Sequence, residues 1–260
     1  MSNTKSTIRT LAAAVLLTLS LLVMTPTNSV ANANTEKRAR RATVPPLKRA
    51  ELKEAEARLA ELGYGPGRVD GVIDGVARNA VIAFQKWEGR KVTGTLSRDD
   101  VDAIMSAAAP QAKDTGYSHV EVDLDRQVLL MTDDDGVVKR ALPVSTGSNK
   151  QYREKGGSGL AYTPRGRFRI TGKIAGWRES PLGLLYYPNY FSGGVAIHGN
   201  PAVPNQPESH GCIRIPMSAA VDVYKQLPVG TIVLVYDSQS FVSAKLWAEA
   251  DKEKQEADSR

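Results

Sequence analysis

Apolar residues recur every three to five positions over residues 47–62, with charged residues between them, which predicts an amphipathic helix. The same period returns over 76–89 and again over 93–109, where Ser97 is placed to cap the last helix. Three short helices this close together predict a small all-α three-helix bundle. We assign it residues 47–109.

Beyond a proline-containing linker at 110–116, the hydrophobic period changes from helical to two. Alternation on both sides of Leu124–Arg126 predicts two strands joined by a tight turn, and several more short strands follow. A single convincing helix is predicted late, over 216–227. Many strands with one main helix predict a β-rich, sandwich- or barrel-like domain, assigned to residues 117–237.

The ends of the chain differ from both predicted domains. Residues 1–33 combine a basic start, an apolar run and a small-residue pattern ending at Ala33, which predicts an exported protein whose signal peptide is cleaved there. An uncleaved membrane anchor is the alternative, since the apolar run is of marginal length. Residues 34–46 form a basic, proline-containing linker, and residues 238–260 a charged tail.

Charge and cysteine content narrow the function classes. The formal charge is +6, and it falls to +4 without residues 1–33, which hold two basic residues and no acidic one. In an exported chain this mild positive charge favours anionic wall polymers or lipid head groups over nucleic acid. One cysteine, Cys212, excludes an internal disulfide, so it is a buried hydrophobe, an intermolecular crosslinker or a reactive thiol.

Two of the three histidines lie within fifteen residues of this cysteine. A cysteine nucleophile needs a base, which His198 supplies in our interpretation, and His210 with Gly211 shapes the turn. Backbone N–H groups of Gly211 and Cys212 are the expected donors to a developing oxyanion. Zinc held by the two histidines and the cysteine, or a merely buried thiol, remain alternatives. The third histidine, His119, is isolated on a predicted strand, which favours a structural or exposed position over a catalytic one.

The helical region carries the first resemblance to a known family. The stretch LAELGYGPGRVDGVIDGVARNAVIAFQKWEGRKVTGTL resembles the small three-helix peptidoglycan-binding domain. The resemblance implies wall-binding positions at Tyr64, Asp70, Gly71 and Gln85. Asp70 and Gly71 also read as turn formers.

The segment AIHGNPAVPNQPESHGCIRIP is similar to the signature of the YkuD-type L,D-transpeptidase catalytic domain. The resemblance implies a β-rich domain in which Cys212 attacks a peptidoglycan stem-peptide carbonyl and the terminal D-residue leaves. An amine then resolves the thioester into a 3→3 crosslink. His198 acts as base, oriented by the carbonyl of Gly199, where some members have serine. Ser209 and Arg214 are implied as substrate-binding residues. No metal or cofactor is implied.

Four aromatic residues lie in the six-residue stretch YYPNYF before this signature. Strand packing alone would account for one or two of them. We predict that Tyr187 and Phe191 line the donor groove, because aromatic faces cover aliphatic peptide well.

The expected partners are stem peptides and anionic wall polymers, with carbapenem-type β-lactams as inhibitors. Two other functions stay open. An L,D-carboxypeptidase or endopeptidase would use water to resolve the same thioester. A catalytically inactive wall-binding protein would form no thioester.

Overall fold

The computed structural model describes residues 45–155 and 157–240. The predicted signal peptide, nearly all of the 34–46 linker and most of the C-terminal tail lie outside these residues. None of the described helices is long and apolar enough to cross a membrane. The described helices are α1 (Arg49–Glu61), α2 (Gly75–Trp87), α3 (Arg98–Ser106) and α4 (Met217–Gln226).

Twelve strands are found in the same residues, all of them after the first three helices. They are β1 (His119–Asp123), β2 (Val128–Thr132), β3 (Val138–Pro143), β4 (Gln151–Glu154), β5 (Gly157–Leu160), β6 (Gly166–Arg169), β7 (Gly172–Lys173), β8 (Trp177–Ser180), β9 (Gly183–Ser192), β10 (Val195–Asn200), β11 (Ile213–Pro216) and β12 (Ile232–Tyr236). The predicted order, a helical region followed by a β-rich region with one main helix, is confirmed.

Side-chain caps fix where the short helices begin. The Asp74 carboxylate accepts the N–H groups of Val76 and Ala77 and so starts α2. At α3, Ser97 and Asp100 form the predicted reciprocal capping box. These bonds satisfy first-turn N–H groups that have no partner inside the helix.

The strands form two five-stranded sheets and one separate pair. The first sheet has the order β3-β2-β1-β12-β6, and the second has β11-β10-β9-β7 with β8 paired to β9. Strands β1 and β2 are antiparallel, as the alternation around the tight turn predicted. Side chains from both sheets and from α4 form the main core, and its largest buried members include Leu129, Ile170, Ile197, Ile213 and Ile215.

The first sheet is buried on both faces where it meets the helices. Strand β2 alternates between two cores: Leu129 contributes to the main core, whereas Val128 and Leu130 pack with the helical residues. Val138 and Ala141 of β3 complete this second core. The helical region therefore closes its core against the sheet, which explains why β2 reads as a continuous apolar run.

Candidate active site

Parallel pairing of β10 with β11 brings the histidine and the cysteine together. His198 is in register with Arg214, and Cys212 comes directly before β11, so the same register places it level with Ala196. Paired residues of neighbouring strands share a face, as do residues two apart along one strand. His198, Cys212 and Arg214 accordingly line one pocket of about 550 Å³.

Hydrogen bonding fixes the orientation of the His198 ring. Its Nδ1 lies 3.0 Å from the carbonyl oxygen of Gly199, and since a carbonyl only accepts, Nδ1 carries the proton. The other nitrogen, Nε2, is then unprotonated and able to act as a base. Burial, together with the positive charge of Arg214, lowers the pKa of His198 to about 4, although the Gly199 contact opposes this shift.

Burial also acts on the Cys212 thiol. It raises the pKa of the Cys212 thiol, and the Ala196 N–H and the charge of Arg214 only partly oppose it. At neutral pH both directions favour a neutral thiol beside a neutral imidazole. The Cys212 Sγ lies 3.9 Å from the Gly194 carbonyl oxygen and makes no hydrogen bond to His198 in the described part of the chain, so a proton transfer would require the thiol to turn towards Nε2.

The turn before the cysteine is held by two hydroxyl groups. Ser209 Oγ accepts the Gly211 N–H at 3.0 Å and donates to the Cys212 carbonyl at 2.5 Å. Thr163 Oγ1 donates to the Gly211 carbonyl at 2.7 Å. The prediction that the Gly211 N–H points at an oxyanion is therefore wrong, because that group is bonded to Ser209. The Cys212 N–H makes no hydrogen bond within the described residues.

Two glycines are required by the space around the site. Gly211 has φ of +143°, and a Cβ there would lie 2.8 Å from the Tyr162 carbonyl oxygen. At Gly199 a Cβ would lie 2.6 Å from the Cβ of Ala220 on α4 and 3.0 Å from the Tyr186 ring. A serine at this position, which the sequence resemblance allows, does not fit this arrangement.

The prediction that Tyr187 and Phe191 line the donor groove is wrong for both residues. Phe191 is buried in the main core, with its ring 5.4 Å from that of Phe168. The Tyr187 ring packs edge-on against Tyr224 of α4, at 5.1 Å. Neither lines the pocket. The same strand instead contributes Gly183, Leu184, Leu185 and Tyr190 to its wall.

The remaining predicted substrate residues differ in their position. Arg214 lines the pocket together with His198 and Cys212. Ser209 borders the pocket as well, but its hydroxyl is committed to the turn through Gly211 and Cys212. In this structure Ser209 supports the turn, whereas Arg214 is placed to meet a ligand.

The residues predicted to bind the wall are engaged inside the helical region. Tyr64 is buried with its ring 5.6 Å from Phe84, so it does not form an outer surface. Gln85 is buried too and bonds the backbone of the loop over 93–95. The N–H groups of Asp70 and Gly71 donate to the buried Glu56 carboxylate, which fits their interpretation as turn formers.

The zinc alternative has no ligand set in the described part of the chain, where no three His, Cys, Asp or Glu side chains are grouped to hold a metal ion. His210 Nε2 instead lies 3.0 Å from Glu154 Oε1. His119 is buried beside Glu121, with 3.1 Å between Nε2 and Oε1, which is a structural position and not one in the pocket.

Sequence reasoning missed several residues that shape the site. Thr163 and Thr146 bond the turn before Cys212, and the backbone carbonyl of Thr146 accepts the Ser209 N–H at 2.9 Å. Tyr152 and Arg178 line the pocket from two separate hairpins. No local pattern marks the threonines, because their partners lie more than 45 residues away in the chain.

Comparison with known families matches both regions. A family model described as the L,D-transpeptidase catalytic domain matches residues 117–235, and a peptidoglycan binding domain matches residues 48–104. Comparison with curated proteins finds no significant match.

Solved structures extend this result. An L,D-transpeptidase structure from Xylanimonas cellulosilytica, spanning its residues 123–326, is 34% identical over 74% of this chain and all of that chain, with a TM-score of 0.69. A structure from Stackebrandtia nassauensis is 26% identical over 71% of this chain and 90% of that chain, with a TM-score of 0.42. The identity and full coverage of the Xylanimonas structure show that this chain belongs to the L,D-transpeptidase family.

Proposed function

We propose that this protein is an exported peptidoglycan L,D-transpeptidase that uses Cys212 as nucleophile and His198 as general base. The observation that carries the proposal is the placement of both side chains on one face of the β10–β11 pair, at one pocket. The neutral, Nε2-unprotonated imidazole next to a neutral thiol supports this division of roles.

Acylation follows from that protonation state. As Sγ of Cys212 attacks the stem-peptide carbonyl, the thiol proton moves to His198 Nε2, and the Gly199 carbonyl stabilises the imidazolium through Nδ1–H. The Cys212 N–H is the backbone donor available to the oxyanion. When the C–N bond breaks, the imidazolium returns its proton to the departing amine of the terminal D-residue. A thioester on Cys212 remains.

Deacylation runs through the same groups in reverse. An acceptor amine attacks the thioester carbonyl, and His198 takes its proton and then passes it to the departing sulfur of Cys212. A new C–N bond replaces the C–S bond, and the product is a 3→3 crosslink. The cationic Arg214 stands close enough to lower the pKa of both partners, which suits a site for anionic stem peptides.

The helical region adds a second part to the proposal. Its match to a peptidoglycan binding domain over residues 48–104 supports direct contact with the wall. Wall binding, together with the predicted signal peptide, supports an activity outside the membrane. Sedimentation of the full chain with purified sacculi tests this part, and a chain that stays in the supernatant at low and moderate salt would contradict it.

Intact-mass spectrometry with a disaccharide-tetrapeptide donor tests the catalytic part. We expect a covalent adduct on the wild type that lacks the terminal D-residue, and dimeric products when an amine acceptor is added. Cys212→Ala is the matched control and should form neither. Donor hydrolysis without dimers would assign an L,D-carboxypeptidase instead. Absence of any adduct, with donor or with a carbapenem, would overturn the nucleophile assignment.

A further inference from the structure

The strands β4 and β5 form a hairpin that stands apart from both main sheets. Its residues are exposed or half-buried, and none of its side chains joins a hydrophobic core. A lone two-stranded hairpin is marginally stable in water. Contacts with the rest of the molecule must therefore hold this hairpin in place.

Two of those contacts converge on one ring, that of His210. Glu154 Oε1 lies 3.0 Å from His210 Nε2, and the Tyr152 ring meets the His210 ring edge-on, with centroids 4.6 Å apart and planes at 67°. Tyr152 and Glu154 are two residues apart on β4, so both side chains project from the same face of the strand. Gly159 is paired opposite Tyr152, and a Cβ there would lie 3.5 Å from the Tyr152 ring.

The contact between Glu154 and His210 determines which nitrogen of the His210 ring carries a proton. An ionised carboxylate only accepts hydrogen bonds, so His210 Nε2 carries a proton and the ring is held in one orientation. His210 is also the residue before Gly211 in the turn that presents Cys212. Ser209 and Thr163 hold this turn from the inside, whereas the hairpin holds it from the outside.

The hairpin also borders the space in which a donor would lie. Tyr152 and His210 both line the pocket that holds His198 and Cys212. On another side, that pocket is bounded by the β8–β9 hairpin, including Arg178. Tyr152 of the β4–β5 hairpin is thus part of the wall of this pocket, whose volume of about 550 Å³ is typical of ligand-binding sites.

We propose that Glu154 is a positioning residue that fixes the His210 ring, and that Tyr152 is a specificity-determining wall of the donor pocket. The β4–β5 hairpin is then a working part of the active site. This inference rests on the function proposed above, in that its kinetic effects are effects on acylation of Cys212.

Imidazole ¹⁵N NMR tests the positioning step without any turnover. The chain has three histidines, and the rings of His119 and His198 bond other partners, Glu121 and Gly199, so the His210 ring signals can be followed separately. In the wild type we expect Nε2 to be protonated. Glu154→Ala should give a mixture of tautomers, whereas Glu154→Gln keeps an acceptor oxygen and should restore the wild-type signature. Unchanged His210 signals in Glu154→Ala would overturn the proposal.

Acylation kinetics test the two roles in function. Glu154→Ala should lower the acylation rate at saturating donor about tenfold, with Glu154→Gln close to the wild type. Tyr152→Ala should raise the donor KM about tenfold with a smaller effect on kcat. Arg153→Ala is the matched control, because its exposed side chain leaves β4 on the opposite face. Melting temperatures of all four variants verify that they are folded.

The outcomes separate this inference from the proposed function. Altered NMR signals combined with wild-type acylation in Glu154→Ala would reduce Glu154 to a structural contact and contradict its positioning role. Equal losses in the Arg153→Ala control would contradict both roles. If the wild type itself forms no acyl-enzyme, the proposed function fails, while the NMR result still decides whether Glu154 sets the His210 ring.

Discussion

The Nζ of Lys86, on α2, donates a hydrogen bond of 2.8 Å to the carbonyl oxygen of Val144, which follows β3. Lys86 is 6% exposed, so its charge lies almost entirely within the protein. The next residue, Ser145, pairs its backbone with Arg214, two residues after Cys212. One buried cation thus connects the helical region to the segment that supports the active site.

Lys86 should make stability depend on alkaline pH. Burial lowers its pKa from 10.5 to about 8. Between these values the unfolded chain binds more protons than the folded one, so stability rises with pH, by at most about 3 kcal/mol at completion. Urea unfolding at pH 7.5, 8.5 and 9.5 measures this slope. Lys86→Met should remove it, and an identical slope in the variant would contradict the assignment.

The buried imidazole of His198 should shift the acid limit of catalysis. Because its pKa is lowered to about 4, the base stays neutral well below the 6.5 of a solvated histidine. We expect the acid limb of kcat/KM for acylation near pH 4, with His198→Gln inactive throughout. Stability should also fall as pH drops from 6.5 towards 4, so circular dichroism must accompany the rates. An acid limb between pH 6 and 7 would mean that the ring is not desolvated.

Ser209 should matter through the turn and not through direct substrate contact. Ser209→Ala removes the acceptor for the Gly211 N–H and the donor to the Cys212 carbonyl. We expect acylation at saturating donor to fall roughly ten- to hundredfold, together with a loss of about 1–3 kcal/mol in stability. Stopped-flow acylation and chemical denaturation measure the two effects. A variant with raised KM alone would favour substrate binding.

The aromatic residues of β9 should separate into core and pocket classes. Phe191→Ala should cost about 3–5 kcal/mol of stability while the folded fraction acylates normally, because the ring is buried in the core. Tyr190→Ala should instead raise the donor KM with little loss of stability, since Tyr190 lines the pocket. Thermal melts measure the stability and donor titrations measure the KM. A raised donor KM in Phe191→Ala with unchanged stability would support the prediction that Phe191 lines the groove.

The tight packing at Gly199 predicts a compensating pair. Gly199→Ala should destabilise the protein by roughly 1–3 kcal/mol, because its Cβ would meet Ala220 and Tyr186. Ala220→Gly removes the closer obstacle, so the double variant should recover part of the loss beyond additivity. A double-mutant cycle by urea denaturation measures this coupling. If the losses in the free energy of unfolding are strictly additive, Ala220 on α4 does not limit the size of the side chain at position 199.

Local chemistry made parts of this structure predictable. Ser97 and Asp100 predict a helix start because capping depends only on neighbours within one turn. The two-residue spacing of His210 and Cys212, with a histidine upstream, was enough to indicate a nucleophile and a base. The fold class followed from the change of hydrophobic period near residue 117.

The aromatic assignment failed for a reason that alternation alone does not reveal. Strand β9 shifts register against β10 between Ile197 and Gly199, and Tyr187 there has φ of +49°. One extra residue in a strand moves the side chains on one side of it to the other face. The hydrogen bond from Thr163 to Gly211 could not be predicted from a local sequence pattern either, because the two residues are far apart in the chain.

The core that the helices share with β2 and β3 has a consequence for the proposed contact with the wall. Val128, Leu130, Val138 and Ala141 close that core, so the helical region is packed onto the sheet and not carried on a flexible arm. A helical region on a flexible tether would leave the distance between its proposed wall contact and Cys212 variable. A helical region packed onto the sheet keeps that distance constant. Under the proposed function, Cys212 would then reach only stem peptides at a set distance from the point where the helical region binds the wall.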